Sequence, residues 1–274
     1  MTTLASPRSF TGLTALAALL AGGFLACGTT TAWAQSDKQT PPNFLALGVA
    51  VVPEFEGSSD RSAVPALIGR FAIGSTTLRV LGNSAQWNLL PESSPWAVGP
   101  VLSLRSARDN DVADAVVKRL RKVDASAGAG VFGEYRWRGL VDASDSLTAG
   151  VELQGGKGGA HVQASLGYQW QAASGLRLNV STHVGAASAK YQRTYFDVDA
   201  NNAMRSGLPR YAGERGVDEA GLALGASYEV SRDWLLIGRV QAARLVGDAA
   251  DSPIVRLRGS RNQSSLVIAV GRSF

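Results

Sequence analysis

The chain has little to do chemistry with: one cysteine and two histidines in 274 residues. Cys27 sits in an N-terminal segment, residues 1–34, with the marks of a cleaved signal peptide. Arg8 supplies the positive start, residues 13–26 form an apolar run interrupted only by Thr14, and Ala32-Trp33-Ala34 gives a small-x-small cleavage site. A lipoprotein site at Ala26-Cys27 is the rival reading, but Phe24 fits poorly where a branched aliphatic residue is expected. Cleavage leaves a chain beginning at Gln35 with no cysteine, which excludes a disulfide framework, a thiolate metal site and a cysteine nucleophile. His161 and His183 are too few to make a metal centre by themselves. Long hydrophobic runs are also missing, since no stretch beyond residue 34 reaches the roughly 18 apolar residues of a spanning helix.

A strong charge bias is absent too. The 27 basic and 22 acidic residues become 26 and 22 once Arg8 is removed. With a pI near 9.6, an exported chain of this kind is attracted to outer-membrane lipid and lipopolysaccharide rather than to nucleic acid. The basic run Lys118-Arg119-Leu120-Arg121-Lys122 reads as a solvated loop, and Asp109, Asp111 and Asp114 as a solvated acidic segment without the glycine and glutamate of a calcium loop. Gly155-Gly156-Lys157-Gly158-Gly159 lacks the helix that a nucleotide loop needs and reads as a flexible hairpin tip.

What is present is alternation at period two. Ala160, Val162, Ala164, Leu166, Tyr168 and Trp170 face one way, while His161, Gln163, Ser165, Gly167, Gln169 and Gln171 face the other. The C-terminal segment does the same, with Leu266, Ile268, Val270 and Phe274 on one face, broken only by Arg272. Twelve such segments are expected, at residues 43–52, 63–73, 75–82, 85–90, 96–105, 124–137, 146–154, 159–171, 175–187, 217–230, 234–246 and 263–274. An even number of strands on an exported chain predicts an all-β transmembrane antiparallel β-barrel over residues 43–274, preceded by a periplasmic segment at 35–42.

Loop lengths agree. If the first strand runs outward, the long connections 53–62, 106–123, 188–216 and 247–262 lie outside the cell. The short ones at 74, 91–95, 172–174 and 231–233 face the periplasm, with 138–145 the longest of that set. Trp137, Tyr168, Trp170, Tyr228 and Trp234 fall near the periplasmic turns, where amphipathic rings favour a membrane interface.

The inward face carries Arg70, Arg79, Arg105, Arg136, Arg177 and Arg239 against Glu134, Glu152 and Glu229. Two outcomes follow: a narrow, mildly anion-favouring diffusion channel, or charges that pair across a plugged lumen. His161 and His183 are expected one diagonal step apart, roughly 7 Å between backbones, with Ser181 and Glu152 nearby. A lumenal serine hydrolase is conceivable on that basis. The bland alternative, ordinary polar lining of a barrel, is the one adopted, with no catalytic residue, cofactor or metal.

Several segments resemble the MipA/OmpV family of outer-membrane proteins. They are Pro53-Glu54-Phe55-Glu56-Gly57-Ser58 after the first strand, then Tyr195-Phe196-Asp197-Val198 and Arg205-Ser206-Gly207-Leu208-Pro209-Arg210-Tyr211 in the long loop. The last loop adds Leu245-Val246-Gly247-Asp248-Ala249-Ala250-Asp251-Ser252-Pro253-Ile254-Val255 and Gly259-Ser260-Arg261-Asn262-Gln263. The resemblance spans essentially the whole chain after the signal. It implies a non-catalytic scaffold for murein synthesis in the bacterial outer membrane, bridging a lytic transglycosylase and a penicillin-binding protein. An envelope, adhesion or porin-like role is the alternative the family leaves open.

Overall fold

A computed structural model describes residues 43–274. The signal segment and the expected periplasmic segment at 35–42 lie outside the described residues. Twelve strands follow in order: β1 Phe44–Pro53, β2 Arg61–Ile73, β3 Thr76–Leu81, β4 Ser84–Asn88, β5 Trp96–Arg105, β6 Ser126–Arg138, β7 Ser146–Gly156, β8 Gly159–Ala173, β9 Leu176–Ala187, β10 Gly216–Glu229, β11 Trp234–Leu245 and β12 Asn262–Ser273. Four short helices lie in two of the loops: α1 Ala189–Tyr195, α2 Ala200–Ser206, α3 Gly247–Asp251 and α4 Pro253–Arg258. Every expected strand is found, with ends that agree to within two residues.

The strands pair antiparallel with their neighbours in sequence, and β1 pairs with β12 to close the barrel. The closing register runs from Phe44 opposite Ser273 to Val51 opposite Leu266. Closure leaves no strand edge unpaired along the wall, which is what lets a sheet stand in lipid. The outward set, including Leu47, Val49, Leu102, Val131, Leu222, Leu224, Ile268 and Val270, is exposed and apolar, as a lipid-facing belt must be. Near the periplasmic turns this belt ends in rings. Trp96, Tyr135 and Trp137 form an edge-to-face chain at 4.7 Å per step, and Tyr168 stacks on Trp170 at 5.7 Å. The girdle reading of Trp137, Tyr168 and Trp170 therefore holds, and Trp96 and Tyr135 extend it.

The inner wall is divided. On β1, β2, β11 and β12 it is apolar, with Phe44, Ala46, Ala50, Val52, Ala66, Ile68, Leu235, Ile237, Val267 and Ala269 in one buried cluster. Small residues are required there: a Cβ at Gly48 would lie 2.0 Å from the Ile268 carbonyl oxygen across the seam. The remaining strands line the lumen with buried polar groups such as Gln86, Ser103, Gln163 and Gln169.

The loops at the outer end fold onto one another. Phe55, Val117, Leu120, Val198, Leu208 and Ile254 make one buried cluster, and Tyr191, Tyr195, Phe196, Leu245, Ala250 and Val255 another. Residues from four separate loops therefore share a hydrophobic interior. Three sequence expectations fail here. In the basic run, Val117–Arg119 forms a 3₁₀ turn and Leu120 is buried, because hydrophobic neighbours at 117 and 120 dock on the lid. Asp114 is not merely solvated: it accepts the Val116 and Val117 backbone N–H groups and pairs with Arg258 at 2.7 Å, stapling two loops. The glycine-rich tip is a support rather than a loose end, since a Cβ at Gly159 (φ +119°) would meet the Tyr191 backbone nitrogen at 2.4 Å. Only glycine lets α1 lie against that hairpin.

Candidate functional site

The blocks singled out in the sequence converge at the outer mouth. Pro53, Glu54, Phe55, Glu56 and Gly57 come from the first outer loop, Arg205, Ser206, Gly207, Leu208 and Pro209 from the long one, and Gly247, Asp248, Asp251, Ser252 and Pro253 from the last. Gln263 ties the first to the last: it accepts from the Gly57 N–H at 3.2 Å and donates to the carbonyls of Ser58 and Ser260. Ser252 caps α4 and donates its hydroxyl to the Phe196 carbonyl at 2.7 Å. Asp248 accepts from the Glu214 N–H, and its carbonyl accepts from the Tyr211 hydroxyl. Arg205 donates to Asn202 on its own helix, and Gly207 ends α2 in the left-handed conformation (φ 78°). Most of these residues thus build the lid.

Beneath the lid sits a buried polar knot. Tyr191 donates its hydroxyl to Glu56 at 2.7 Å and accepts from Arg105 at 2.7 Å, and the Arg105 guanidinium also lies 4.7 Å from the Tyr191 ring centre. Burial, aided by the negative charge of Asp218, pushes the Glu56 carboxyl up to about 7. Arg108 donates to the Tyr195 carbonyl at 2.6 Å and packs 5.9 Å from the Phe55 ring centre. Tyr191, Arg108 and Asp218 were not anticipated. The hydrogen bond from Arg105 joins residues 86 apart in sequence, a distance no local pattern encodes.

The histidines do not meet as expected. The β8–β9 register sets Ser165 opposite His183 and Ala187 opposite His161, so four residues, roughly 13 Å, separate them along the strands. The turn begins two residues later than assumed, and the register shift between Gln171 and Ala173 takes back only part of that slip. Each histidine instead has its own carboxylate. His183 lies 2.9 Å from Glu219, and His161 lies 3.3 Å from Asp218. A bulge between Val217 and Glu219 turns two successive acids inward, which strict alternation forbids. The Ser181 hydroxyl hydrogen-bonds to no described residue, and Glu152 bonds Gln86 and Gln154, so the expected Ser-His-Glu grouping is not assembled.

Several of the inward charges are paired. Arg70 pairs with Glu92, Arg79 holds both oxygens of Glu134 at 2.9 and 3.1 Å, and Arg177 lies 3.6 Å from Glu229. Arg177 and Arg239 also line a small lumenal cavity, whose other walls include Ile68, Ile237 and Val267.

A closed wall with an apolar outer belt, capped by loops that carry these blocks, is now in place. The family described as MltA-interacting protein MipA is matched over residues 45–274. The chain belongs to the MipA family. Family membership and the twelve-stranded closed barrel assign this MipA-family protein to the bacterial outer membrane. Its backbone is similar to that of the KdgM porin (TM-score 0.42, 8% identity, 84% of this chain and 99% of the porin). It is also similar to the toluene transporter TbuX of Ralstonia pickettii (TM-score 0.38, 10% identity, 86% and 90%) and to the outer membrane protein OprD of Pseudomonas aeruginosa (TM-score 0.37, 15% identity, 86% and 66%). No curated protein matches the chain.

On the opposite rim of the MipA-family barrel, the turn at residues 139–145 is held by one side chain. Asp145 accepts the backbone N–H groups of Leu140, Val141 and Asp142 at 2.7, 2.8 and 3.1 Å, and the Tyr168 hydroxyl donates to it at 2.6 Å. The Tyr168 hydroxyl, with the turn's N–H groups, holds the Asp145 carboxyl down at about 2. Arg138 donates to the carbonyls of Glu92, Ser93 and Ser94, tying this turn to its neighbour. The rigid turn presents Leu140 and Val141 to the outside, 51% and 87% exposed.

Proposed function

We propose that this protein is a non-catalytic scaffold for murein synthesis and remodelling, holding a lytic transglycosylase and a penicillin-binding protein at the inner face of the outer membrane. The observation that carries the reading is the 139–145 turn. Exposed apolar side chains on a backbone fixed by four hydrogen bonds offer a partner a preorganised knob at little ordering cost. The family description, which names an interaction with MltA, supports the kind of partner. The lid at the outer end and the paired lumenal charges weigh against free diffusion through the barrel. A knob of this size buries little area, so the contact belongs to the weak, exchangeable class of interfaces.

The test is a crosslinking pull-down of the tagged protein from intact envelopes, read by mass spectrometry. A transglycosylase and a penicillin-binding protein are expected to be enriched over an unrelated barrel, with several-fold less recovery from a Leu140→Ser/Val141→Ser variant. Equal recovery from the unrelated barrel removes the scaffold role.

A further inference from the structure

At the periplasmic end of the lumen, beneath the turn at residues 89–95, a small cavity is lined by Arg70, Arg79, Arg136, Glu92 and Glu134. Its charges do not balance. Arg70 pairs with Glu92, which also accepts the Thr77 hydroxyl at 2.9 Å, and Arg79 takes both oxygens of Glu134. Asn88, on the same wall, is occupied by its own turn: it donates to the Leu90 carbonyl and accepts from the Leu90 and Val98 N–H groups. Arg136 remains. Its side chain makes no hydrogen bond or ion pair with any described residue, and its Nε is shut off from solvent, as is the Nε of Arg79.

A guanidinium does not shed its proton, so it cannot escape burial by becoming neutral. A half-buried one without a partner is costly, and the cavity beside it is open to a counter-ion. We infer that this cavity binds one singly charged carboxylate entering from the periplasm, anchored by Arg136. Three cations against two anions leave a single positive charge to match. A dianion such as phosphate would set its second charge against Glu92 and Glu134, whereas a planar carboxylate fits the flat guanidinium fork with two parallel hydrogen bonds. The carboxylate could belong to a free acyl-amino acid or to the C-terminus of a peptide. The site stands independently of the scaffold role, because neither Leu140 nor Val141 contributes to it.

The experiment is a titration of the purified full barrel in detergent, followed by ligand-observed NMR. The probes are N-acetylalanine, N-acetyl-trialanine, N-acetylalaninamide and inorganic phosphate. Both carboxylates should bind saturably and the amide should not. Arg136→Gln should weaken carboxylate binding by about tenfold or more, with Arg136→Lys intermediate. A tripeptide that binds tenfold tighter than the amino acid identifies a chain terminus as the ligand, and equal affinities identify a free solute. The comparison of acid with amide needs no variant, so a misfolded Arg136→Gln barrel does not remove the test. Absence of saturable carboxylate binding, equal binding of the amide, phosphate binding tighter than carboxylate, or unchanged affinity in a folded Arg136→Gln protein each overturns the inference.

Discussion

Raising the pH from 5 to 8 should loosen the outer lid, and Glu56→Gln should remove most of that loosening. Glu56 is buried against Tyr191, and its carboxyl is raised from 4.5 to about 7 by desolvation first and by Asp218 next, with Arg105 and the Tyr191 hydroxyl opposing and Glu219 adding. When the first outer loop lifts, the same carboxyl returns to water and its ordinary value. A group whose pKa is higher in the closed state stabilises closure fully below the lower value and loses that contribution as pH climbs through the higher one. Between pH 5 and 8 the two values imply an increase of roughly 70-fold in the opening equilibrium, about 2.5 kcal/mol. Gln at 56 can still accept the Tyr191 hydroxyl, and it has no proton to lose. The assay is amide hydrogen exchange at residues 54–60 and 189–195 at both pH values, taken as the ratio of wild type to Glu56→Gln so that intrinsic exchange chemistry cancels. A ratio that stays flat across this range would refute the assignment of the lid's proton linkage to Glu56.

The periplasmic turn responds to acid with the opposite sign. Asp145 is held at about 2 against an ordinary 3.8, so its contribution is intact above pH 4 and disappears as pH falls through 2. At neutral pH, Asp145→Ala should speed exchange at Leu140, Val141 and Asp142 while the barrel keeps its heat-modifiable mobility on gels; unchanged protection counts against the turn's dependence on that carboxylate. Phe196→Ala empties a fully buried position in the lid and should cost about 3–5 kcal/mol of lid stability. Planar-bilayer recording should then detect openings that the wild type lacks, and a variant as silent as the wild type would mean that the lid is not what closes the lumen.

Much of the wall was legible because a half-buried strand advertises itself locally. Residues 159–171 alternate without a break, and the parity that puts Gln163 and Gln169 inside also puts Arg70, Glu134 and Arg239 inside on their own strands. Two kinds of feature escaped. Bulges break parity without a composition signal, so Asp218 and Glu219 both turn inward although alternation allows only one. Register is set by where a turn begins, and a turn two residues late at the β8–β9 hairpin was enough to part the two histidines. The lid escaped for a different reason. Asp114 and Arg258 are 144 residues apart, and Gly57 and Gln263 are 206 apart, so each pairing exists only after the barrel has closed. The motif blocks identified which loop residues matter, but the partner of each had to be read from the fold.

The apolar third of the inner wall has a consequence for assembly. β1 and β12 are the first and last strands synthesised, so the seam between them must close a loop of about two hundred residues, the slowest and most entropically opposed step in making a ring. The apolar cluster is confined to β1, β2, β11 and β12. Each end of the polypeptide therefore carries half of a sticky surface that is completed only when the two ends meet. Ring closure supplies its own driving force at the junction that needs it. A chain truncated before β11 would keep one half of the seam exposed with nothing to cover it.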